Sequence, residues 1–471
     1  MLPEVASVAT LEIRTSPACV GCQAVSFQTA RKAGRARSQH ARVVSARSHK
    51  IAVMSVSLVR DIDSPDMRRA GRDLLSVALM DARNHTLHLA DQLHHAMEQA
   101  GSRFMACTDV DPLAWSLGHI GWFQEWWIAR NMQRGRGQRC DAGAARLPSL
   151  EPSADLWWDD TQSSSAQRWS MELPDLDTLK GFLLATLETS LELLDKAAET
   201  DDGLYFFRLA LAHEDMHGEA LIVTSQALGM PLRIELPPPV VARAPLLVPA
   251  TRWTMGSIEP RGFSPDNERP PHVIAVPEFE IDAQVVNWTQ YVEFVDDGGY
   301  DRSEFWDPAG WLWLQHQAAG EGSEAGGRAP RFVQQIGVAS GAVMQTRFGT
   351  PRRMLGTQAA MHVSWWEADA WCRWAGRRLP AEVEWELAAG GAARRGFRWG
   401  DVWEWTGTTA RPYPGFTADP WRAYSEACFG SHKVLRGASF ATRGRMKNLL
   451  FRNFELPHCD HLFAGFRSCA L

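Results

Sequence analysis

The chain has 471 residues, 45% of them hydrophobic, and 49 Lys+Arg set against 55 Asp+Glu leave a formal charge of −6. That balance excludes a generally basic nucleic-acid binder, and no uninterrupted apolar run approaches the ~20 residues a membrane span needs. Two or three domains acting on small molecules or proteins in the cytoplasm are predicted, and the 8 Cys are too sparse for a disulfide scaffold.

Residues 1–65 carry Arg14, Arg31, Lys32, Arg35, Arg37, Arg42, Arg47 and Lys50 among Ser, Ala and Val, with few acids. They predict a disordered extension, either a transit peptide or the product of a start codon placed before the true start at Met54 or Met67. Its Cys19-Val-Gly-Cys22, without a second pair, is weak as a metal motif. From about residue 67, Leu75, Ala78, Leu79, Ala82, Thr86, Leu89 and Leu93 recur at helical spacing. Asp111-Pro112 reads as the N-cap and first-turn proline of a second helix running to about Met132. Pro174-Asp175 opens a third, and a fourth runs from Gly203 to Leu228 and closes at Gly229. Four long amphipathic helices predict an antiparallel four-helix bundle over 66–235.

Leu236-Pro-Pro-Pro-Val240 then breaks the pattern, and 236–246 reads as a linker. Beyond it, 247–471 shows short β-like runs, Gly and Pro punctuation and dense Trp, with helices only at Trp365–Gly376 and Pro380–Ala389. The Gly-rich stretch from Ala318 to Ala329 reads as a surface loop.

The fourth helix carries His213-Glu-Asp-Met-His217, two imidazoles four residues apart and so on one face. His119, in Leu117-Gly118-His119 of the second helix, can face the same bundle core and complete a three-histidine metal site. Three neutral imidazoles leave the metal its full charge and open positions, which suits a redox-active iron holding substrate and O2 together. Most of the remaining His, including His85, His88, His94 and His95, read as surface or packing residues. The same five residues also match the zinc-peptidase pattern with Glu214 as general base. Glu214, however, points away from the face of the His pair, and Glu219 stands on a different face from a third ligand.

These residues, with Leu117-Gly-His-Ile120 and a series of later motifs, resemble the ergothioneine-type sulfoxide synthases, from about residue 70 to the C-terminus. The later motifs are Val363-Ser-Trp-Trp-Glu367, Gly376-Arg-Arg-Leu-Pro380, Glu382-x-Glu384-Trp385-Glu386, Val402-Trp-Glu-Trp-Thr406, Val434-Leu-Arg-Gly437, Arg452-Asn-Phe454 and Phe463-Ala-Gly-Phe-Arg467. The resemblance implies a multidomain α + (α+β) chain, a DinB-like bundle followed by a C-type-lectin-like domain of the formylglycine-generating-enzyme type. It also implies a nonheme Fe(II) enzyme using O2, with His119, His213 and His217 as ligands and hercynine as substrate. Leu204-Tyr-Phe-Phe-Arg208 and Gly121-Trp-Phe-Gln-Glu125 are most similar to the selenoneine synthase branch, which takes a selenosugar, whereas the sulfur branch takes a thiol donor.

Carried over on the same motifs, Asn453 would hold hercynine, with Phe454 and Glu455 following it, and Trp405, Trp403 and Phe416 would offer aromatic faces to its quaternary ammonium. Met216 replaces a Gln that would contact hercynine, and Trp421 replaces the first Tyr of a Tyr-x-x-Tyr-Ser pattern. Indole cannot replace a phenol as an acid, so Tyr424 or Tyr413 is expected as the proton donor. The Arg130, Arg134 and Arg136 group could receive donor carboxylates, although a solvated loop is the simpler reading. Competing functions are a zinc-dependent DinB-type transferase and a non-enzymatic binding module. Formylglycine formation needs a Cys pair that the spacing of Cys428, Cys459 and Cys469 does not match.

Overall fold

The computed structural model describes residues 62–101, 106–258, 262–319, 328–337 and 343–471. The Arg-rich segment up to residue 61, with Cys19 and Cys22, and residues 320–327 of the Gly-rich stretch lie outside the described residues.

Helix α1 (Arg72–Ala100) buries Leu75, Ala78, Leu79, Ala82, Thr86, Leu89 and Leu93, one face of a 3.6-residue repeat. It begins later than residue 67 because Pro65–Arg69 forms a separate 3-10 turn capped by Ser64. Helix α2 (Leu113–Gln124) buries every residue but Ala114, so it lies inside the fold. Its N-cap is Pro112 rather than Asp111, whose carboxylate instead accepts from Arg168 at 2.9 Å. Nor does the α-helix reach Met132. Glu125–Ala129 widens into a π turn, and the Glu125 carboxylate accepts from Ser149 Oγ at 2.5 Å and Leu150 N–H at 2.7 Å.

Helix α3 (Leu176–Asp195) is capped by Asp175, and α4 (Asp201–Ala227) by Thr200. The chain leaves α4 through Gly229 at φ 65°. Helix α1 packs on α3 and α4, and α2 on the same two. Their common core includes Leu79, Trp115, Phe123, Leu179, Leu187 and Phe206. The long connection before α3 crosses α2 and forms two helical turns, Ala154–Trp158 and Ser165–Arg168.

The second half carries strands β1 (Leu246–Val248), β2 (Thr251–Met255), β3 (His272–Val276), β4 (Phe279–Ile281), β5 (Val333–Gln335), β6 (Val343–Arg347), β7 (Thr350–Met354), β8 (Arg377–Arg378), β9 (Trp403–Thr409), β10 (Lys433–Gly437), β11 (Asn453–Glu455), β12 (Ala464–Phe466) and β13 (Cys469–Ala470). They form small sheets ordered β1-β4-β13-β8, β11-β10-β9-β12, β2-β3 and β5-β6-β7. In the second of these, β9 runs antiparallel to β10 and parallel to β12, so that Trp405 lies opposite both Leu435 and Phe466.

Four helices pack among the sheets: α5 (Trp288–Asp296), α6 (Pro308–Ala319), α7 (Trp365–Trp374) and α8 (Glu382–Gly391). Helix α5 buries Trp288, Tyr291 and Phe294 at helical spacing behind an Asn287/Gln290 capping box, whereas α6 does not follow from periodicity, being apolar on most sides around Trp311, Leu312, Trp313 and Leu314.

The charged motif residues of this half hold irregular backbone together. Glu382 accepts from Arg452 at 2.7 and 3.1 Å, Glu404 from Arg467 at 2.5 and 2.7 Å, and Glu386 from Arg436. All six are buried. A third core joins the two halves, in which Leu117, Ile120, Leu221 and Ile222 pack with Met361, Val402 and Phe463. Among the described residues no helix is long and apolar enough to cross a membrane.

Candidate metal centre

Helices α2 and α4 bring His119, His213 and His217 together, with one ligand-capable nitrogen from each lying within 4.8 Å of the others. His119 Nε2 is 3.2 Å from His213 Nε2. His119 Nδ1 lies 2.7 Å from the Trp158 carbonyl, which can only accept, so that nitrogen carries the proton and Nε2 presents its lone pair to the cluster. Trp115 stacks on His119 at 4.7 Å, and Phe123 on His213 at 3.6 Å with planes 3° apart, fixing both rings. Burial, followed by the neighbouring imidazoles, holds His213 and His217 well below the usual histidine range, and burial lowers His119. Three neutral, converging imidazoles fit a first-row divalent ion.

The orientation of His119 depends on a glycine. Trp158 packs flat against α2 at Gly118, where a Cβ would meet indole atoms at 2.0 Å. Gly118→Ala is therefore expected to displace Trp158 and its carbonyl, lowering metal affinity by about 10–100-fold. Metal titration of the purified chain measures it.

The residues between and beyond the α4 ligands lock the helix in rotation. Glu214 accepts from Arg83 at 2.7 and 3.1 Å, buried, and so is not available as a peptidase general base. Asp215 accepts from Arg445 at 2.6 and 2.7 Å, and Arg445 also reaches Asp81 at 2.8 Å. Glu219, one turn further along, accepts from Trp403 Nε1 at 2.8 Å, Ser439 Oγ at 2.5 Å and Thr442 Oγ1 at 2.6 Å, all in the second half.

A cavity of about 270 Å³ opens beside His217. Its helical wall includes Asp111, Ser116, Met216, Glu219 and Thr224, and its other wall Trp403, Phe451, Asn453, Glu455, His461 and Phe463. Side chains alternate along a strand, so Asn453 and Glu455 of β11 face the cavity while Phe454 turns to Ala410 and Val434. The side chain of Glu455 accepts a 3.5 Å contact from Cys459 Sγ and a backbone hydrogen bond from Leu456, yet burial pushes its pKa from 4.5 up to about 7. A raised carboxyl pKa favours the folded state at low pH, and that contribution is lost as pH rises through about 7. Glu455→Gln should flatten the decline between pH ~5 and ~8, a difference on the order of 1–2 kcal/mol in urea denaturation.

On the other side of Met216 lies a more apolar recess lined by Trp421, Tyr424, Tyr205, Phe263 and Phe451. Trp421 stacks on Tyr424 at 4.7 Å and stands edge-on to His213 at 5.5 Å. The Tyr424 hydroxyl lies 3.8 Å from Met216 Sδ, and burial beside Glu268 holds it protonated.

Other candidates fall elsewhere. Tyr413 packs under Arg452 at 4.2 Å with its hydroxyl 3.5 Å from Glu382, lining neither cavity, so it is not placed to donate a proton there. Trp405 is fully buried between Leu435 and Phe466 of the neighbouring strands, its Nε1 donating to the Val363 carbonyl at 2.8 Å. Phe416 packs edge-on against Phe429, and Phe454 faces inward by strand alternation. Arg130 is committed to Asp155 and the Leu147 carbonyl, while Arg134 and Arg136 bond to their own loop. Asp111 and His461 are wall residues without a local sequence signal, and Glu219 is legible only as a potential ligand.

Comparison with known proteins places the second half in a described family: residues 239–401 match the sulfatase-modifying factor enzyme 1-like domain. The chain is 32% identical over 455 residues to a protein named hercynine oxygenase from Mycolicibacterium smegmatis, covering 84% of this chain and 98% of that one. It is 33% identical to the protein of that name from Mycobacterium tuberculosis, covering 76% and 90%. A formylglycine-generating enzyme of Streptomyces coelicolor is 33% identical over 170 residues, covering 35% of this chain and 52% of that one.

Proposed function

Because this chain belongs to the hercynine oxygenase family of ergothioneine-type sulfoxide synthases and is an oxidative enzyme, we propose that it joins a chalcogen donor to the imidazole C2 of hercynine, using O2 and an Fe(II) held by His119, His213 and His217. The observation that carries this reading is the neutral triad opening onto a cavity whose walls bear carboxylates and aromatic rings. Iron bound there would supply redox electrons and open coordination positions for donor and O2.

The chain's own part is binding, orientation and proton supply. Trp403, Phe451 and the Glu455 carboxylate suit a trimethylammonium that cannot be hydrogen-bonded, and cation–π attraction is worth ~0.5–2 kcal/mol per ring. Asn453, whose amide faces the cavity, orients hercynine beside them. Met216 separates the two compartments, and the protonated Tyr424 hydroxyl behind it is the proton donor.

A sulfur donor is the first reading, following the relatives. A selenium donor of sugar type is the second, favoured by one feature: the cavity beside His217 is lined by several acids and by no Lys or Arg. The guanidiniums around it are taken, Arg168 by Asp111, Arg331 by Asp109 and Asp460 and Arg445 by Asp215 and Asp81, so a donor rich in carboxylates finds no fork to bind it.

Anaerobic reconstitution with Fe(II), followed by air, hercynine and γ-glutamylcysteine, cysteine or a selenosugar, tests both readings by mass spectrometry. A hercynine sulfoxide conjugate with a thiol establishes the first. A selenium isotope pattern with the selenosugar alone establishes the second. Turnover supported by Zn(II) without O2 overturns both in favour of a transferase.

A further inference from the structure

Beneath the cavity floor, β6 buries a charge that no carboxylate among the described residues neutralises. Arg347 is 3% exposed, its Nε has no hydrogen-bond partner, and its one contact from Nη1 is to the Met361 thioether at 2.8 Å. Burial lowers its pKa to about 9, and among the described residues no carboxylate offsets it. Arginine keeps its proton in proteins, so the site retains a full positive charge.

Next to it, His362 is fully buried, and neither ring nitrogen makes a hydrogen bond of proper geometry. Burial first, and then Arg347, Arg331 and His461, disfavour its charged form, against a weak pull the other way from the Leu462 backbone. Arg331, unlike Arg347, is satisfied by Asp109 and Asp460.

The backbone around this pair is held in an unusual state. Among the described residues, the non-glycine positions at positive φ are Phe332 (66°), Phe348 (47°) and His362 (65°). All three belong to this cluster. Phe332 and Phe463 pack on the His362 ring at 4.7 and 5.3 Å, and Phe348 packs on Phe463 at 6.2 Å. Left-handed non-glycine residues are strained and concentrate at ligand clamps. An unpaired buried charge is more costly still.

We propose that Arg347 and His362 together bind a small monovalent inorganic anion of chloride's size and charge. The anion completes the hydrogen bonding of both side chains and fixes Phe463, which forms part of the cavity floor beside the triad. The inference is independent of which chalcogen donor the enzyme uses.

The test uses the full chain at constant ionic strength, with thermal midpoints followed as gluconate is replaced by chloride or bromide. A saturable rise of roughly 2–4 °C is expected for the natural sequence. Arg347→Met, which removes the charge, should be insensitive to halide, and Arg347→Lys should keep part of the response. Crystals soaked in bromide should show an anomalous peak against the Arg347 guanidinium. A midpoint indifferent to halide, an unchanged response in Arg347→Met, or bromide peaks only at surface cations would overturn the proposal. Should Arg347→Met fail to fold, Arg347→Lys and the bromide peak decide the matter.

Discussion

Replacing His213 with alanine is expected to lower Fe(II) binding by more than about 100-fold and to abolish oxygen-dependent turnover, because losing a direct ligand exceeds what an outer-shell partner costs. His213 is the most enclosed of the three, sandwiched by Phe123 and 1% exposed, so neither water nor a neighbouring side chain can take its place. His88→Ala is the control. That residue is exposed and bonds only to Gln92, one turn away, so metal content and activity should be unchanged. Iron quantification after desalting, together with oxygen uptake in the presence of hercynine and donor, reads both.

The second large effect concerns stability. Arg445→Met leaves the Asp215 carboxylate buried without its partner, between the two ligands of α4, and breaking such a pair costs about 3–5 kcal/mol. Chemical denaturation should show that loss. Adding Asp215→Leu should recover a substantial part of it, because an apolar pair of similar volume replaces an ion pair at little cost. If the double variant is no more stable than the single one, the two side chains do not act as a pair.

The helical half was largely legible because one-face burial writes itself into the sequence every three or four residues, as in Leu75, Leu79 and Ala82. Its departures have local causes. Arg168 draws Asp111 away from capping, and the π turn at Glu125 shortens α2. The histidine cluster was legible for the same reason, two imidazoles sharing a helix face and a third on a facing helix of the bundle, whereas the packing of Trp158 on Gly118 was not.

The second half was legible only as motifs. Its charged motif residues, Glu382, Glu386, Glu404, Arg436, Arg452 and Arg467, point at one another rather than at a ligand. Its aromatic residues divide by strand parity, which cannot be read where strands are as short as β11. Trp403 and Trp405 share one face of β9, and Trp403 reaches the cavity because it lies at the strand end beside α4, with its Nε1 on Glu219, whereas Trp405 is enclosed.

All three imidazoles come from α2 and α4, whereas Trp403, Asn453, Glu455 and His461 belong to the opposite half. The elements that carry the histidine cluster and those that form the opposite wall of the cavity are thus encoded in separate stretches of the gene. Evolution can exchange one partner molecule for another by editing β9, β11 and the turn before β12, with the oxidising apparatus left as inherited.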